Sequence, residues 1–458
     1  MYKINYDTPV WIHFIGIGGI SMSGLAEILR SKGFRISGSD SQPSAITEGL
    51  KNMGIEVVYG QKAANISPDM DLVVYTAAIH PDNPEFAAAQ QAHLPMMDRA
   101  ELLGQIMSNY SDSIAVSGTH GKTTTTSMIS HILLAAQSDP TISVGGILKS
   151  IGGNTRVGHS DHFLTEACEY TNSFLKLDPR IAIILNIEED HMDFFKDIED
   201  IRHSFRRFAL KPGTDGCLII NSDIDRLSEI TEGLNCSVIT YGLKPESDYT
   251  AANISFDEYA RGSFDLIAYG SNLGRISLSV TGLHNVSNAL AAIACACRLG
   301  ISPELIRKGL AEFEGTDRRF EYKGSFNGVT VIDDYAHHPT EISATLTAAQ
   351  NYPHKTLWCV FQPHTYSRTR AFLEDFAKSL ALADKVVLVD IYAAREKDPG
   401  DISSRDILDL LQAAGKEAYY MPDFDSAEKF FRENCVTGDV LITMGAGNVV
   451  SIGEALVR

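Results

Sequence analysis

The sequence predicts an α/β protein of three consecutive domains, with mainly parallel sheets and Rossmann-like units at both ends. Three observations predict this fold class. The chain has 458 residues, which is more than a single hydrophobic core normally supports. Three of its segments open with a short apolar run that leads into glycines. Within each segment, apolar runs alternate with helix-like stretches, an alternation typical of parallel sheets with crossover helices.

The predicted elements follow this division. In the first segment, residues 1–107, a strand at 10–15 enters a glycine turn and is followed by a helix, Met22–Ser31, and a strand, Arg35–Ser39. The second segment, residues 108–314, has predicted strands at Ser113–Ser117, Phe163–Glu166 and Ile181–Asn186 and a closing helix at Asn285–Leu299. The third segment, residues 315–458, has predicted strands at Val329–Asp333, Thr356–Phe361, Lys385–Val389 and Val440–Met444 and a short C-terminal helix.

Composition narrows the function classes. Hydrophobic residues make up 44% and charged residues 21% of the chain, and no apolar run approaches the ~20 residues of a membrane span, so a soluble protein is predicted. The N-terminus lacks a secretory signal pattern, and the seven cysteines are dispersed. Both features favour the reducing cytoplasm. The net charge of −19 argues against nonspecific binding to nucleic acid or anionic membrane, because such binding needs clustered cations.

The strongest motif is a phosphate loop with the sequence AVSGTHGKTTTT. Gly118 and Gly121 would let backbone N–H groups approach phosphate oxygens at the start of a helix, where the dipole favours anions. Lys122 would reach the β and γ phosphates of a nucleotide, and the Thr123 hydroxyl would ligate Mg²⁺. The loop departs from the usual pattern in one place, because Val116 stands where the first glycine is expected.

This loop and six further segments resemble the Mur ligase family over nearly the whole chain. The other segments are HFIGIGGISMSGLAEIL, EACEY, NIEEDHMD, HNVSN, DDYAHHPTE and FQPHTYSRTR. The resemblance implies a UDP-substrate domain at 1–107, an ATP-binding domain at 108–314 and an amino-acid domain at 315–458. It also implies ATP-dependent joining of L-alanine to the lactyl carboxylate of UDP-N-acetylmuramate through an acyl phosphate, in peptidoglycan precursor synthesis. The alternative within the family is a recycling ligase that adds a whole peptide to the same sugar nucleotide.

The N-terminal glycine turn has a second interpretation. Taken alone, the turn with Asp40 at the end of the next strand would suggest a nicotinamide-dependent oxidoreductase, although Ser21 replaces the third glycine of that fingerprint. The lysine-bearing phosphate loop favours the ligase, which needs both a UDP turn and an ATP site. The residues expected to bind the UDP substrate are Gly16, Gly18, Gly19, Ser21, Ser39, Asp40 and Thr76.

A magnesium and ATP site is expected where parallel strands end. Glu166 follows one predicted strand and the DHMD segment follows another, at the sheet edge where ligands bind. Oxygen ligands suit Mg²⁺, and the resemblance adds His191 to Glu166 and Thr123 as metal ligands. It also implies that Arg319 meets phosphate and acts in catalysis with Lys122, Glu166 and His191. The other residues implied to bind ATP are Gly118, Thr119, His120, Gly121, Thr124, Asn285, Asn288 and Asp334.

The C-terminal segment is expected to hold the amino acid. DDYAHHPTE could be mistaken for a zinc site, but adjacent histidines rarely share an ion. The resemblance instead implies that Tyr335, His364 and Arg368 bind L-alanine. A basic surface loop is the plainer alternative for FQPHTYSRTR. Many alanine-adding relatives have arginine directly after the histidine of FQPH, where this chain has Thr365. One cation is therefore missing from the expected pocket.

Overall fold

The computed structural model describes residues 2–76, 78–394 and 396–458. The chain divides into two compact units, one made of residues 1–188, 198–241 and 291–306 and the other of residues 189–197, 242–290 and 307–458. The predicted domain boundaries at 107/108 and 314/315 stay predictions. Among the described residues, no helix is both long and apolar enough to cross a membrane.

The N-terminal sheet has five parallel strands in the order β3-β2-β1-β4-β5. Its strands are β1 (Trp11–Ile15), β2 (Arg35–Asp40), β3 (Glu56–Tyr59), β4 (Leu72–Tyr75) and β5 (Met96–Asp98). Its helices are α1 (Ile20–Ser31), α2 (Ala45–Asn52), α3 (Pro84–Gln91) and α4 (Arg99–Met107), with a 3₁₀ turn at Ala63–Asn65. The switch in strand order beside β1 puts the glycine turn after β1 at the crevice where such sheets bind ligands.

The central sheet runs in the order β12-β11-β10-β6-β9-β7-β8, parallel except for the edge pair β7-β8. Its strands are β6 (Asp112–Ser117), β7 (Thr141–Leu148), β8 (Gly153–Arg156), β9 (His162–Glu166), β10 (Ile181–Ile184), β11 (Cys217–Asn221) and β12 (Ser237–Gly242). The helices are α5 (Lys122–Ala135), α6 (Ile198–Ala209) and α7 (Leu227–Thr231), with 3₁₀ turns at Lys149–Ile151 and Tyr170–Lys176. β6 and β9 are neighbours, so the phosphate loop and Glu166 leave adjacent strands at one edge.

An antiparallel meander and two helices follow in the chain. The strands pair β13-β14-β15 and span Tyr249–Phe256, Arg261–Ala268 and Ser271–Thr281. The helices are α8 (Leu283–Arg298) and α9 (Pro303–Glu312). The sequence placed the start of α8 two residues too late, because the polar His284 and Asn285 mark its first turn rather than its cap.

The C-terminal sheet has the order β16-β17-β21-β18-β19-β20, with only β16 antiparallel. Its strands are β16 (Glu321–Phe326), β17 (Val329–Asp334), β18 (Leu357–Phe361), β19 (Lys385–Leu388), β20 (Glu417–Tyr420) and β21 (Val440–Met444). The helices are α10 (Pro339–Gln350), α11 (Tyr366–Ala371), α12 (Leu373–Leu380), α13 (Ser404–Ala413), α14 (Phe424–Asn434) and α15 (Val450–Leu456). Apolar clusters cover both faces of this sheet, so its strands read as continuous apolar runs. These parallel sheets confirm the predicted α/β class.

Candidate functional site

The N-terminal glycine turn is fixed to the end of β2. The N–H groups of Gly16 and Ile17 both donate to the Ser39 carbonyl at 2.9 Å, and the Gly18 N–H donates to the Asp40 carboxylate at 2.8 Å. Gly16 has a φ of +82°, which favours glycine. A Cβ atom at Gly18 would lie 2.7 Å from that Asp40 oxygen. Glycine is therefore required at residue 18 for close approach of the turn to Asp40.

The other residues expected to bind UDP divide into two sets. Thr76 is beside the turn, since its methyl carbon lies 3.8 Å from the Cβ position of Gly16, and Ser21 is exposed in the first turn of α1. Ser39 is fully buried, and its hydroxyl donates to the fully buried Glu85 at 2.5 Å. Burial raises the pKa of Glu85. Ser39 thus faces the protein interior. Glu85 lies in no motif of the sequence, so sequence analysis could not identify it as the partner of Ser39.

The phosphate loop has the conformation that its glycines predicted. Gly118 has a φ of +146° and Gly121 a φ of +83°, and α5 begins at Lys122 directly after Gly121. The His120 N–H donates to the side-chain oxygen of Asn186 at 2.8 Å, which ties the loop to the end of β10. Thr119 is also joined to this segment, since the Glu188 N–H donates to its hydroxyl at 2.9 Å.

Lys122 is held inside the loop by a buried acid. Its ammonium donates to the two carboxylate oxygens of Glu169 at 2.9 and 3.2 Å and to the Thr119 carbonyl at 3.0 Å. The side chains are 17% and 3% exposed. Burial alone would lower the pKa of Lys122, but the attraction of Glu169 outweighs burial and raises it. Sequence analysis missed Glu169, although the motif EACEY contains it.

Thr123 and Glu166 lie beside two adjacent glycines of β7, Glu166 beside Gly145 and Thr123 beside Gly146. The Gly145 N–H donates to Glu166 at 2.6 Å, and a Cβ atom at Gly145 would lie 2.9 Å from the other Glu166 oxygen. A Cβ atom at Gly146 would lie 3.1 Å from the Thr123 methyl group. Thr124 follows Thr123 in the first turn of α5 and is partly buried. Hydroxyl and carboxylate oxygens are donors that Mg²⁺ prefers, so this pair fits the ion.

The residues implied to bind ATP in the second unit are tightly ordered. At the start of α8, Asn285 donates to the Thr281 carbonyl at 2.8 Å and Asn288 donates to the Asn285 oxygen at 3.0 Å. Asp334, at the end of β17, accepts from the N–H groups of Phe320 and Ala336, both at 2.8 Å. Burial raises the pKa of Asp334 to about 6, although the charge of Arg319 opposes the shift.

The ring of Tyr335 lies close to two arginines. The guanidinium carbons of Arg318 and Arg319 are 4.8 and 5.5 Å from the centroid of its ring. The ring of His337 lies between Tyr335 and His364, with centroid distances of 5.5 and 5.6 Å. The structure therefore places Tyr335 beside Arg319, and His337 fills the space towards His364.

A cavity of about 370 Å³ opens beside α11 and the segment that contains His191. Two residues expected to bind alanine, His364 and Arg368, line it, whereas Tyr335 is not among the described residues of its wall. His191 also lines it, with a φ of +54°. Sequence analysis did not assign to this cavity five further wall residues that carry charge or a titratable ring: Asp190, Asp193, His337, Arg370 and Glu396.

Arg368 is paired with Asp190 at the cavity wall. One guanidinium nitrogen donates to Asp190 at 2.6 Å, another lies 3.1 Å from Nδ1 of His364, and the paired side chains are 11% and 8% exposed. Burial alone would raise the pKa of Asp190, but the charges of Arg368 and His191 and their hydrogen bonds together outweigh burial and hold that pKa well below its ordinary value. The DHMD motif contains Asp190, but nothing local links it to Arg368.

Glu396 holds the start of α11. Its carboxylate accepts from the N–H groups of Tyr366 at 2.7 Å and Ser367 at 3.0 Å. Burial opposes ionisation, but the hydrogen bonds from Ser367 and Tyr366 lower the pKa of Glu396. The carboxylate is therefore ionised at neutral pH and neutralises the positive end of the helix.

Comparison with known proteins gives consecutive matches along the chain. Residues 11–111 match the model described as Mur ligase family, catalytic domain; residues 116–296 match the Mur ligase middle domain; and residues 318–447 match the Mur ligase, glutamate ligase domain. A UDP-N-acetylmuramate–L-alanine ligase of Agathobacter rectalis is 64% identical over 458 residues, which is 100% of both chains. The chain belongs to the Mur ligase family.

Other Mur ligases agree with this membership. A UDP-N-acetylmuramate–L-alanine ligase of Lachnospira eligens is 59% identical over 100% of both chains. The crystal structure of UDP-N-acetylmuramate-alanine ligase MurC from Thermotoga maritima is 31% identical, with a TM-score of 0.80 over 98% of both chains. It confirms the predicted three-domain α/β architecture for this Mur ligase. Membership of a ligase family also decides against the nicotinamide-dependent oxidoreductase.

The alternative within the family has a solved representative. A murein peptide ligase from Psychrobacter arcticus is 26% identical to this Mur ligase, with a TM-score of 0.69 over 98% of both chains. The fold is therefore common to both kinds of enzyme. Sequence identity to the L-alanine ligases, 64% and 59%, is higher than the 26% identity to this murein peptide ligase.

Proposed function

We propose that this Mur ligase joins L-alanine to the lactyl carboxylate of UDP-N-acetylmuramate and converts ATP to ADP and phosphate. One observation carries the proposal: UDP-N-acetylmuramate–L-alanine ligases are 64% and 59% identical to the chain over its whole length. The reaction is a step of peptidoglycan precursor synthesis, and its use of ATP places it in the cytoplasm.

The first chemical step is phosphoryl transfer from ATP to the carboxylate. The loop residues Gly118, Thr119, His120, Gly121, Lys122 and Thr124 are proposed to bind the phosphates. Lys122 would neutralise charge on the β and γ phosphates once they compete with Glu169 for its ammonium. Thr123 and Glu166, with His191, would hold Mg²⁺, and the ion would supply positive charge against the charge that develops during transfer.

Four further residues are proposed to bind ATP. Asn285 and Asn288 are held rigid by their own hydrogen bonds, which suits them to a fixed role in nucleotide binding. Asp334 is proposed to contact the nucleotide, and Arg319 to bind phosphate with its permanent charge. The position of Tyr335 close to Arg318 and Arg319 associates the ring with these proposed ATP residues as well as with alanine.

The second chemical step is attack of the alanine amine on the acyl phosphate. A C–N bond forms, the acyl C–O bond breaks, phosphate leaves, and the amine loses a proton. We place alanine in the cavity lined by His364 and Arg368. The residues proposed to bind the UDP moiety are Gly16, Gly18, Gly19, Ser21, Asp40 and Thr76. Ser39 supports this turn through its carbonyl, and Glu85 binds the Ser39 hydroxyl.

A direct ligation assay tests the proposal. The purified enzyme is incubated with ATP, magnesium and UDP-N-acetylmuramate, and either L-alanine or the tripeptide L-alanyl-γ-D-glutamyl-meso-diaminopimelate. We expect ADP release and a product heavier by one alanine residue, with a kcat/KM for L-alanine far above that for the tripeptide. Preference for the tripeptide would show that the chain is a recycling ligase instead.

A further inference from the structure

Alanine has to lose a proton before its nitrogen can attack the acyl phosphate. At neutral pH the amino group of free alanine is an ammonium, which has no lone pair, so a base has to remove one of its protons. Imidazole is the side chain that ordinarily changes charge near neutral pH, which suits it to this task. Three histidines line the cavity beside α11: His191, His337 and His364.

The contacts of His337 fix which of its ring nitrogens carries a proton. Nδ1 lies 3.1 Å from the carbonyl oxygen of Tyr335 and 3.2 Å from a carboxylate oxygen of Glu341. Both oxygens only accept hydrogen bonds, so Nδ1 carries the proton and donates. Nε2 therefore has the lone pair, and it has no hydrogen-bond partner in the part of the chain that the structure describes.

Glu341 holds the His337 ring in this tautomer. Its carboxylate accepts from the His337 N–H at 3.1 Å and from Arg319 at 3.4 Å. These two donors favour the ionised carboxylate, and the ionised carboxylate favours a proton on Nδ1 of His337. A carboxylate beside one ring nitrogen is the arrangement in which a histidine acts as a base through its other nitrogen.

The other two histidines of the cavity wall have different roles. Nδ1 of His364 lies 3.1 Å from a guanidinium nitrogen of Arg368, and a guanidinium only donates. Nδ1 of His364 therefore accepts, and its Nε2 carries a proton that suits the α-carboxylate of alanine. His191 is the proposed metal ligand. The rings of His337 and His364 are 5.6 Å apart between centroids, so an acceptor for the ammonium lies beside a donor for the carboxylate.

We propose that Nε2 of His337 is the general base that deprotonates the alanine ammonium, with Glu341 as a positioning residue; this assignment rests on the proposed function. One proton passes from the ammonium to Nε2, and the electron pair of that N–H bond stays on the alanine nitrogen. This pair forms the C–N bond, and the acyl C–O bond then breaks with its electrons leaving on phosphate. The second proton lost from nitrogen leaves with phosphate, the third stays in the amide, and His337 returns its proton to water.

Steady-state kinetics on the full-length enzyme test the base. His337→Ala should lower kcat for L-alanine ligation about a hundred- to ten-thousandfold, the usual contribution of a general base. Hydroxylamine is an uncharged nucleophile at neutral pH, so native enzyme and His337→Ala should form the hydroxamate from it at similar rates. The matched control is His354→Ala, because Nδ1 of His354 also lies against a carbonyl two residues earlier, that of Tyr352. This control should keep the native kcat.

Loss of the base should also change the pH profile. In His337→Ala only alanine that is already an uncharged amine can react, so kcat/KM for alanine should rise about tenfold per pH unit up to the pKa of the amino group. Native enzyme should reach its plateau at lower pH. The charged and titratable groups that His337→Ala leaves in place around the ring are Glu341, Tyr335, His364, Asp190, His191, Asp193, Arg368, Arg370 and Glu396.

Glu341 is tested by a conservative and a disruptive substitution. Glu341→Gln keeps an oxygen acceptor for Nδ1 of His337 and should retain more of the native kcat than Glu341→Leu, whereas equal losses would overturn the positioning role. An unchanged alanine kcat in His337→Ala, an equal loss with hydroxylamine, or pH profiles of the same shape would overturn the base. The native enzyme tests the proposed function separately: if it ligates L-alanine, that function stands whatever His337→Ala does, and if it does not, both fail.

Discussion

Arg368 donates a 2.6 Å hydrogen bond to Asp190, a residue 178 positions earlier in the chain, and water is nearly excluded from the pair. Asp190 directly precedes His191, the proposed metal ligand, and its carboxylate also accepts from the His191 N–H at 2.7 Å. The pair thus ties the segment that carries His191 to helix α11, which forms a wall of the proposed alanine cavity.

Removing Arg368 should destabilise the protein as well as impair the pocket. Arg368→Ala leaves the Asp190 carboxylate buried without its partner, a loss of about 3–5 kcal/mol in the free energy of unfolding. The double variant with Asp190→Asn should lose less than the sum of the two single losses, because no unpaired charge remains. Urea unfolding at neutral pH measures this, and strictly additive losses would show that the pair is not coupled.

The same pair predicts a dependence of stability on acid. The pKa of Asp190 is depressed in the folded protein, so the pair stabilises the fold above the ordinary carboxyl pKa of 3.8. That contribution disappears as the pH falls below this value. The difference in unfolding free energy between native protein and Arg368→Ala should therefore shrink on acidification below about pH 4, and a constant difference would contradict the assignment.

Lys122→Ala should abolish ATP turnover while leaving the binding of UDP-N-acetylmuramate nearly intact. The ammonium lies in the phosphate loop, held by Glu169, whereas the proposed UDP residues lie around the turn after β1. Isothermal titration with the sugar nucleotide and an ADP-release assay measure the two properties on one preparation. Near-normal turnover in Lys122→Ala would refute the role of the lysine.

Two glycine substitutions should affect different properties: Gly18→Ala should weaken substrate binding, and Gly49→Ala should raise stability. At Gly18 a Cβ atom would meet Asp40 and Thr47 at 2.7 Å, so Gly18→Ala has to displace the turn and should raise the KM for UDP-N-acetylmuramate. At Gly49, inside α2, a Cβ atom would meet nothing within 4 Å, so Gly49→Ala should stabilise the protein by about 0.5–1 kcal/mol. Thermal unfolding and steady-state kinetics on both variants check this. Equal kinetics for the two variants would show that the turn does not bind the nucleotide.

Asp334 should give ATP use a pH dependence. Burial raises its pKa to about 6, so the carboxylate form that could meet the nucleotide or its cations develops as the pH rises through 6. We expect kcat/KM for ATP to fall on the acid side of that value in native enzyme, and Asp334→Asn to lose both this acidic fall and activity.

The raised pKa of Asp334 also means that protonation of its carboxylate stabilises the fold. This contribution is present below pH 3.8 and is lost as the pH rises through 6. Native protein should thus gain stability relative to Asp334→Asn on acidification through that range.

The sequence by itself determined the α/β class, the phosphate loop and the glycine turn after β1. These features are local: an apolar strand, glycines with positive φ such as Gly16 and Gly121, and a helix that follows at once all lie within about twenty residues. The family followed from the same motifs. The strand-end positions of Glu166 and Asp334 were also predictable, because the apolar runs before them mark strands of parallel sheets.

Only the tertiary structure decided which charges neutralise one another. Glu169 meets Lys122 from 47 residues away, Glu396 holds the start of α11 from 30 residues away, and Asp190 meets Arg368 from 178 residues away. The local pattern around each acid does not indicate which cation or helix end it meets. Pairing over such separations depends on how the sheets bring distant loops together and on which side chains lose water there. For that reason the sequence could name Arg368 as a cation but could not show that a buried carboxylate already binds it.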